Sequence, residues 1–358
     1  MAAENGDTVT IPVIDISEEN KNAAEDLVDA AAKYGFVFVK NNIAGIPPSE
    51  ISQMFNLSET LFKSSVEVKE TCSINSAKSG KNRGWLAMHT ETLDPAKQKR
   101  GDFKEAFNIG EFKDGHPQQP FPEPLAVQET TVGHFMNSCH ELCNRIHVLF
   151  AQGLQISESA GGSSWFSSRH DRIKGPSGSI LRLLYYPSIP SSLLPEGETD
   201  IRAGAHSDYG SITLLFQLPG QPGLEIRIPS GTSWSPVPVN PHNEAALPIL
   251  VNIGDLLSYW TGGLFKSTVH RVIFPKAQNG EAIGDRYSIA YFCHPLDKAE
   301  LVEVPSPVVK AYMEENKGRD MSIGMGVGKL DEGQILTAKG HLERRLAATY
   351  GSNAQGKD

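Results

Sequence analysis

The sequence predicts a mainly β fold, a sandwich or barrel supported by helices, and three observations carry that prediction. After residue 175, short apolar runs alternate with Gly/Pro turns, at 179–186, 211–218, 223–228, 248–253, 264–274 and 286–293. That cadence belongs to all-β architectures. Before residue 175 the apolar residues recur at steps of three and four, the helical period. No linker-like segment separates the two textures, so 1–358 reads as one domain. Within it, 8–175 is a mainly helical support region, 176–300 the β core, 301–350 a helical region and 351–358 a frayed tail.

Taken in order, Ile11-Pro-Val-Ile-Asp-Ile16 is apolar and β-branched, as a strand requires. Ala23, Ala24, Leu27, Ala30, Ala31 and Tyr34 then share one helical face, and Gly35 stops the helix. Phe36–Val39 returns to strand, and residues 50–70 to helix through Ile51, Met54, Phe55, Leu61 and Phe62. Lys78 to Gly115 reads as polar and irregular. A long helix follows, with Val132, Phe135, Cys139, Leu142, Ile146, Leu149 and Phe150 in one apolar stripe suited to core packing. Residues 338–349 are again helical in pattern.

Composition narrows the function classes. A formal net charge of −9 argues against nucleic acid, whose binders present basic patches. No run approaches the length and apolarity of a membrane span, and Met1–Asp7 is polar, without the apolar core of a secretory signal. The four cysteines, Cys72, Cys139, Cys143 and Cys293, show no metal-knuckle spacing and no disulfide framework. A reducing, cytoplasmic setting is the expectation. The acidic charge says nothing about oligomeric state.

The chemistry concentrates in four segments. In a strand, residues two apart face the same side, so His206 and Asp208 of Ala-His-Ser-Asp-Tyr-Gly can point together. A second histidine, His270, sits among apolar neighbours in Lys-Ser-Thr-Val-His-Arg-Val. Two histidines and one carboxylate form the facial triad of non-haem Fe(II) oxygenases, with positions left open; zinc can take the same ligands. Arg286 and Ser288 share a face of the strand Arg-Tyr-Ser-Ile-Ala-Tyr-Phe. An inward arginine needs an answering charge, and a guanidinium beside a hydroxyl suits a ligand carboxylate. Arg182, Leu184 and Tyr186 share a face of an earlier strand.

Jointly and in order, the motifs resemble the isopenicillin N synthase-like branch of the 2-oxoglutarate/Fe(II) dioxygenases over nearly the whole chain. They are Ile-Pro-Val-Ile-Asp, Tyr34-Gly-Phe-Val-Phe, Phe103-Lys-Glu-Ala-Phe-Asn-Ile-Gly, Leu-Arg-Leu-Leu-Tyr-Tyr-Pro, His-Ser-Asp-Tyr-Gly-Ser-Ile-Thr, Asn252-Ile-Gly-Asp, Lys-Ser-Thr-Val-His-Arg-Val and Arg-Tyr-Ser-Ile-Ala-Tyr-Phe. Arg202-Ala-Gly, Gly115-His-Pro and Arg345-Leu-Ala-Ala-Thr-Tyr are similar to fungal thymine dioxygenase-type and secondary-metabolite oxygenases.

The resemblance implies a double-stranded β-helix (jelly roll). It implies Fe(II) on His206, Asp208 and His270, and 2-oxoglutarate as co-substrate with O₂, its far carboxylate on Arg286 and Ser288 assisted by Tyr186. One departure is Leu184, where plant relatives often carry Asn. Such an enzyme oxidises, most simply hydroxylates, a small molecule and releases succinate and CO₂. Strand parity and the irregular loop nominate Arg182, Tyr209, Phe292, Asn82 and Trp85 for substrate contact, with a nucleobase or a polyketide-like aromatic as substrate. Two other readings share the residues: an isopenicillin N synthase-like oxidase that does not use 2-oxoglutarate, and a metal-binding member without turnover.

Overall fold

The computed structural model describes residues 9–41, 45–94, 97–188, 201–228, 233–274, 284–317 and 335–350. Both Met1–Asp7 and the expected tail 351–358 lie outside them. In chain order the elements are β1 (Val13–Ile14), α1 (Ala23–Lys33), β2 (Phe36–Val39), α2 (Pro48–Lys63), α3 (Val66–Glu70), β3 (Gly84–Leu86) and β4 (Glu105–Gly110). A small hairpin of β5 (Phe112–Lys113) and β6 (His116–Pro117) precedes α4 (Glu123–Ala126) and α5 (Glu129–Gly153). The β-rich part holds β7 (Ile180–Tyr186), β8 (Ala203–His206), β9 (Ile212–Gln217), β10 (Leu224–Arg227), β11 (Trp234–Pro236), β12 (Ile249–Ile253), α6 (Asp255–Trp260), β13 (His270–Val272) and β14 (Arg286–Cys293). Helices α7 (Pro307–Glu315) and α8 (Ala338–Tyr350) follow.

Two sheets make the jelly-roll core. The major sheet runs β1-β2-β12-β9-β14-β7-β4-β3 and the minor sheet β11-β10-β13-β8. Strand parity divides the apolar residues between two cores. Val37, Val39, Leu181, Leu183, Ile289 and Tyr291 pack on the outer face of the major sheet with the stripe of α5. Phe36, Phe38, Leu184, Tyr186 and Ala290 point the other way and meet Ala203, Leu224, Ile226 and Val272 of the minor sheet. Buried on both faces, the major-sheet strands read as continuous apolar runs instead of alternating ones.

The expectation of irregular chain over 78–115 is corrected: β4 pairs with β7 along six residues and β3 pairs with β4. The polar character of that stretch misleads because Lys104, Asp102 and Glu91 are buried and paired with one another, not solvated. The run 264–274 is a strand only at His270–Val272. Its first half is braced against the end of α1: Lys266 N–H donates to Ala31 O at 3.0 Å and Thr268 Oγ1 to Tyr34 O at 2.7 Å. Gly35 makes this possible. Its φ is +68°, and a Cβ there would stand 2.0 Å from Lys266 O. The Lys266 side chain, unexplained by sequence, ties this segment to α7 by donating to Gly263 O and Tyr312 Oη, at 2.7 and 3.0 Å.

Candidate metal and co-substrate site

His206 and His270 are direct cross-strand neighbours in the minor sheet. Asp208 arrives differently from the expectation: β8 ends at His206, so the carboxylate comes from the turn beyond the strand. Its Oδ1 nevertheless lies 3.8 Å from His206 Nε2 and 3.6 Å from His270 Nε2. Three neighbours set that position. Thr213 Oγ1 and Asn252 Nδ2 donate to Oδ2 at 2.6 and 2.7 Å, and Asp255 N–H donates to the Asp208 carbonyl at 2.8 Å. One carboxylate oxygen is thus held, and the other faces the imidazoles.

Both rings are oriented the same way. His206 Nδ1 lies 2.7 Å from Gly204 O and His270 Nδ1 lies 3.1 Å from Thr268 O. A carbonyl only accepts, so each Nδ1 carries the proton and each Nε2 turns its lone pair toward Oδ1. The three ligand atoms fall within 4.8 Å of one another, and this donor set without thiolate fits Fe(II). Burial first, then the neighbouring His270, pushes His206 down to about 4. Burial pulls Asp208 upward, yet His270, His206, Asn252 and Thr213 together hold it below the usual carboxylate value. Neutral imidazoles and an ionised carboxylate are the states a metal requires.

Arg286 faces the same interior from the major sheet and is 1% exposed. It donates to Ser288 Oγ at 3.2 Å and Gln217 Oε1 at 3.3 Å, and lies 5.0 Å from the Tyr186 ring centroid. Its Nε has no partner among the described residues. Nor, among them, does a carboxylate pair with it: Asp285, the nearest in sequence, instead accepts from Ser188 N–H at 2.6 Å. Burial lowers the Arg286 pKa from the ordinary guanidinium value. A buried cation held by neutral groups is a site for an anion brought by a ligand.

Two adjoining cavities meet at the triad. One is lined by Arg286, Ser288, Tyr186, Leu184, Asn252 and Thr213, among others. The other is lined by Asn82, Glu91, Asn108, Tyr209, Leu342 and Leu346, among others. His206, Asp208, Arg182 and Phe292 border both. Of the residues nominated for substrate contact, Asn82, Arg182, Tyr209 and Phe292 therefore come together beside the candidate metal ligands.

Trp85 does not, and its nomination is corrected. Its indole is 4% exposed in the outer core, donates to Glu105 Oε2 at 2.8 Å and lies under Lys69. Neither cavity reaches it. Arg182 also differs from a lone cation, because its Nη2 lies 2.8 Å from Glu91 Oε2. The same oxygen is 2.9 Å from Lys104 Nζ, which also contacts Asp102. Burial pulls the Lys104 pKa down, but Asp102 and Glu91 outweigh it and the ammonium stays charged.

The sequence assigns no role to Thr213 and Asn252, although both stand in the motifs above, and does not single out Glu91 or Gln217. The available signal is a polar residue inside an apolar strand, as in Ile249-Leu-Val-Asn-Ile253.

Residues 11–127 match the family described as non-haem dioxygenase in morphine synthesis N-terminal, and residues 177–295 match the 2OG-Fe(II) oxygenase superfamily. The UPF0676 protein C1494.01 of Schizosaccharomyces pombe is 34% identical, covering 98% of this chain and 96% of its own length. The 2-oxoglutarate-dependent dioxygenase tropC of Talaromyces stipitatus is 28% identical over 98% of both chains. Among solved structures, the Neurospora crassa thymine-7-hydroxylase in complex with alpha-KG and thymine superposes with a TM-score of 0.75 at 31% identity, over 96% of this chain and 98% of that one. The chain belongs to the 2OG-Fe(II) oxygenase superfamily and is a dioxygenase that uses Fe(II), 2-oxoglutarate and O₂.

Proposed function

We propose that His206, Asp208 and His270 hold the iron, that Arg286 and Ser288 bind the far carboxylate of 2-oxoglutarate beside Tyr186, and that the second cavity takes a neutral, flat substrate. The observation that carries the reading is the pairing of opposites across one interior. Two histidines of the minor sheet and the carboxylate of the turn that follows its strand β8 converge, and a buried guanidinium without a carboxylate partner among the described residues faces them from the major sheet. Fe(II) with 2-oxoglutarate and O₂ supplies the oxidation of a C–H bond, with succinate and CO₂ as co-products. The chain's own residues do the rest. Thr213 and Asn252 fix which oxygen of Asp208 is free; Gly204 and Thr268 fix the tautomers; Arg286 orients the co-substrate before reaction.

Substrate class follows from the Glu91–Arg182 pair. The carboxylate largely cancels the guanidinium, so the cavity has little to offer an acid. It presents an acceptor beside donors, with Asn82 and Asn108 nearby and Phe292 as an apolar wall. A ring with N–H next to C=O, as in a nucleobase, matches that edge; a polyketide-like aromatic is the second candidate, supported by Leu342, Leu346 and Ile180. The Neurospora hydroxylase, similar over nearly its whole length, is solved with thymine. The test is a screen of neutral lactam rings, phenolic aromatics and carboxylic acids by Fe(II)-dependent succinate release. Lactams are expected to stimulate most. Stimulation by carboxylic acids alone would overturn the substrate reading.

A further inference from the structure

We propose that Arg345 is a positioning residue that fastens the C-terminal helix, one wall of the substrate cavity, to the turn carrying Asp208, so that one side chain sets both the cavity and the metal site. The proposal rests on the triad as the metal site. Helix α8 places Leu342 and Leu346, one turn apart, against the cavity beside His206 and Asp208. Its N-terminal end is fixed by main chain: Ala338 N–H donates to Ala299 O at 2.8 Å and Lys339 N–H to Asp297 O at 3.1 Å. Among the described residues, no comparable main-chain bond to another element holds the following turns, where Arg345 stands.

Arg345 reaches three groups around the metal-ligand turn. Its Nη2 donates to Ser207 Oγ at 3.3 Å and lies 3.4 Å from Asp255 Oδ2, and its Cζ stands 4.5 Å from the Tyr209 ring centroid. Ser207 and Tyr209 flank Asp208. Asp255, fully buried, is already tied to both metal-binding segments. Its N–H donates to Asp208 O at 2.8 Å, and its Oδ1 accepts from Ser267 Oγ at 2.6 Å on the approach to His270. Its Oδ2 accepts no hydrogen bond among the described residues, so Arg345 is the charge that answers it. A guanidinium is suited to this task, since its planar face stacks on Tyr209 while its edge addresses oxygen atoms. A second ion pair on this helix, Glu343 with Lys81, is exposed and joins it to the loop bearing Asn82.

The test uses the full chain with Arg345→Ala and Arg345→Lys, and Glu343→Gln as the control on the same helix. Two readouts are taken: amide hydrogen exchange across 338–350, and the visible spectrum of the protein loaded with Co(II) in place of iron, which reports ligand geometry. Arg345→Ala is expected to speed exchange in the second half of the helix by on the order of tenfold and to shift the Co(II) bands. Arg345→Lys, which keeps the charge but not the stacked plane, is expected to restore part of the protection; should the alanine variant fail to fold, the lysine variant alone must still shift the bands. Glu343→Gln is expected to leave the bands unmoved.

Faster exchange with an unchanged Co(II) spectrum would make Arg345 a helix anchor only and overturn the proposal, as would no change in either readout. Wild-type protein that takes up no Co(II) would sink the metal reading and this proposal with it. Uptake in the wild type with an unmoved variant spectrum would sink this proposal alone.

Discussion

Glu91→Gln removes one charge from the middle of a buried network with almost no change of shape. The Glu91 carboxylate lies 2.9 Å from Lys104 Nζ and 2.8 Å from Arg182 Nη2, and the three side chains are 4%, 4% and 12% exposed. Removing one partner of a buried ion pair costs about 3–5 kcal/mol. Glutamine keeps one oxygen to accept from one of the two cations, which places the expectation near the lower end, about 3 kcal/mol. For a chain of 358 residues each kcal/mol moves Tm by roughly 1.3 °C, so Tm should fall by about 4 °C. The substitution also leaves two cations, Lys104 and Arg182, with Asp102 paired to the first of them, so the cavity becomes cationic. Thermal unfolding measured with and without a small carboxylic acid reads both effects. The variant should be destabilised in buffer and partly recovered by the acid, which should not stabilise the wild type to the same degree. A Tm unchanged within about a degree, or an equal response of both proteins to the acid, would refute the reasoning that Glu91 neutralises this cavity.

Asn252→Ala removes one of the two donors that hold Asp208 Oδ2. Iron affinity should fall by about 10–100-fold, as for other partners of metal-binding side chains, measured by competition with a metal-chelating dye; an unchanged affinity would mean that Thr213 suffices. Acid should unfold the metal-free protein early. Burial is the largest cause of the depressed values of His170, His206 and His341, each about 4, and of His140 and His294, each about 3. Between the ordinary histidine value and these, the unfolded chain binds more protons than the folded one. Stability is therefore full above about pH 6.5 and lost as pH falls toward 4, by at most about 1.4 kcal/mol per pH unit for each group. A flat stability profile from about pH 7 to 5 would contradict that burial. Trp85→Phe, which deletes the bond to Glu105, should cost about 1 kcal/mol and leave 2-oxoglutarate turnover unchanged; altered substrate preference would reinstate Trp85 in the cavity.

Much of this molecule is legible in its sequence, and the parts that are not share a cause. Helices α1 and α5 and strands β7, β9 and β14 follow from periodicity because each buries a continuous face. The candidate metal ligands are legible because histidine and aspartate among apolar residues are costly without a role. Strand β4 is not, because the chain leading into it carries Glu91, Asp102 and Lys104, charges that are buried only in mutual company. Arg182 is legible as a cavity residue, but not Glu91, which stands 91 residues away in sequence and meets it only in the folded chain. Asp208 is legible only in part, because strand parity does not extend past His206, and bonds from Thr213 and Asn252 complete the geometry. Local pattern reports local geometry; partnerships between distant polar groups are what it omits.

The most direct test of the central claim is an anaerobic titration of the Fe(II)-loaded protein with 2-oxoglutarate, following the visible metal-to-ligand charge-transfer band, in the wild type and in Arg286→Ala. The predicted result is a saturable band in the wild type and a loss of affinity of on the order of a hundredfold in the variant, since truncating one partner of a buried charged pair costs about 2–5 kcal/mol. Bound iron that gives no band, or equal affinity in the two proteins, would contradict the assignment of Arg286 and of the cavity beside it as the co-substrate site.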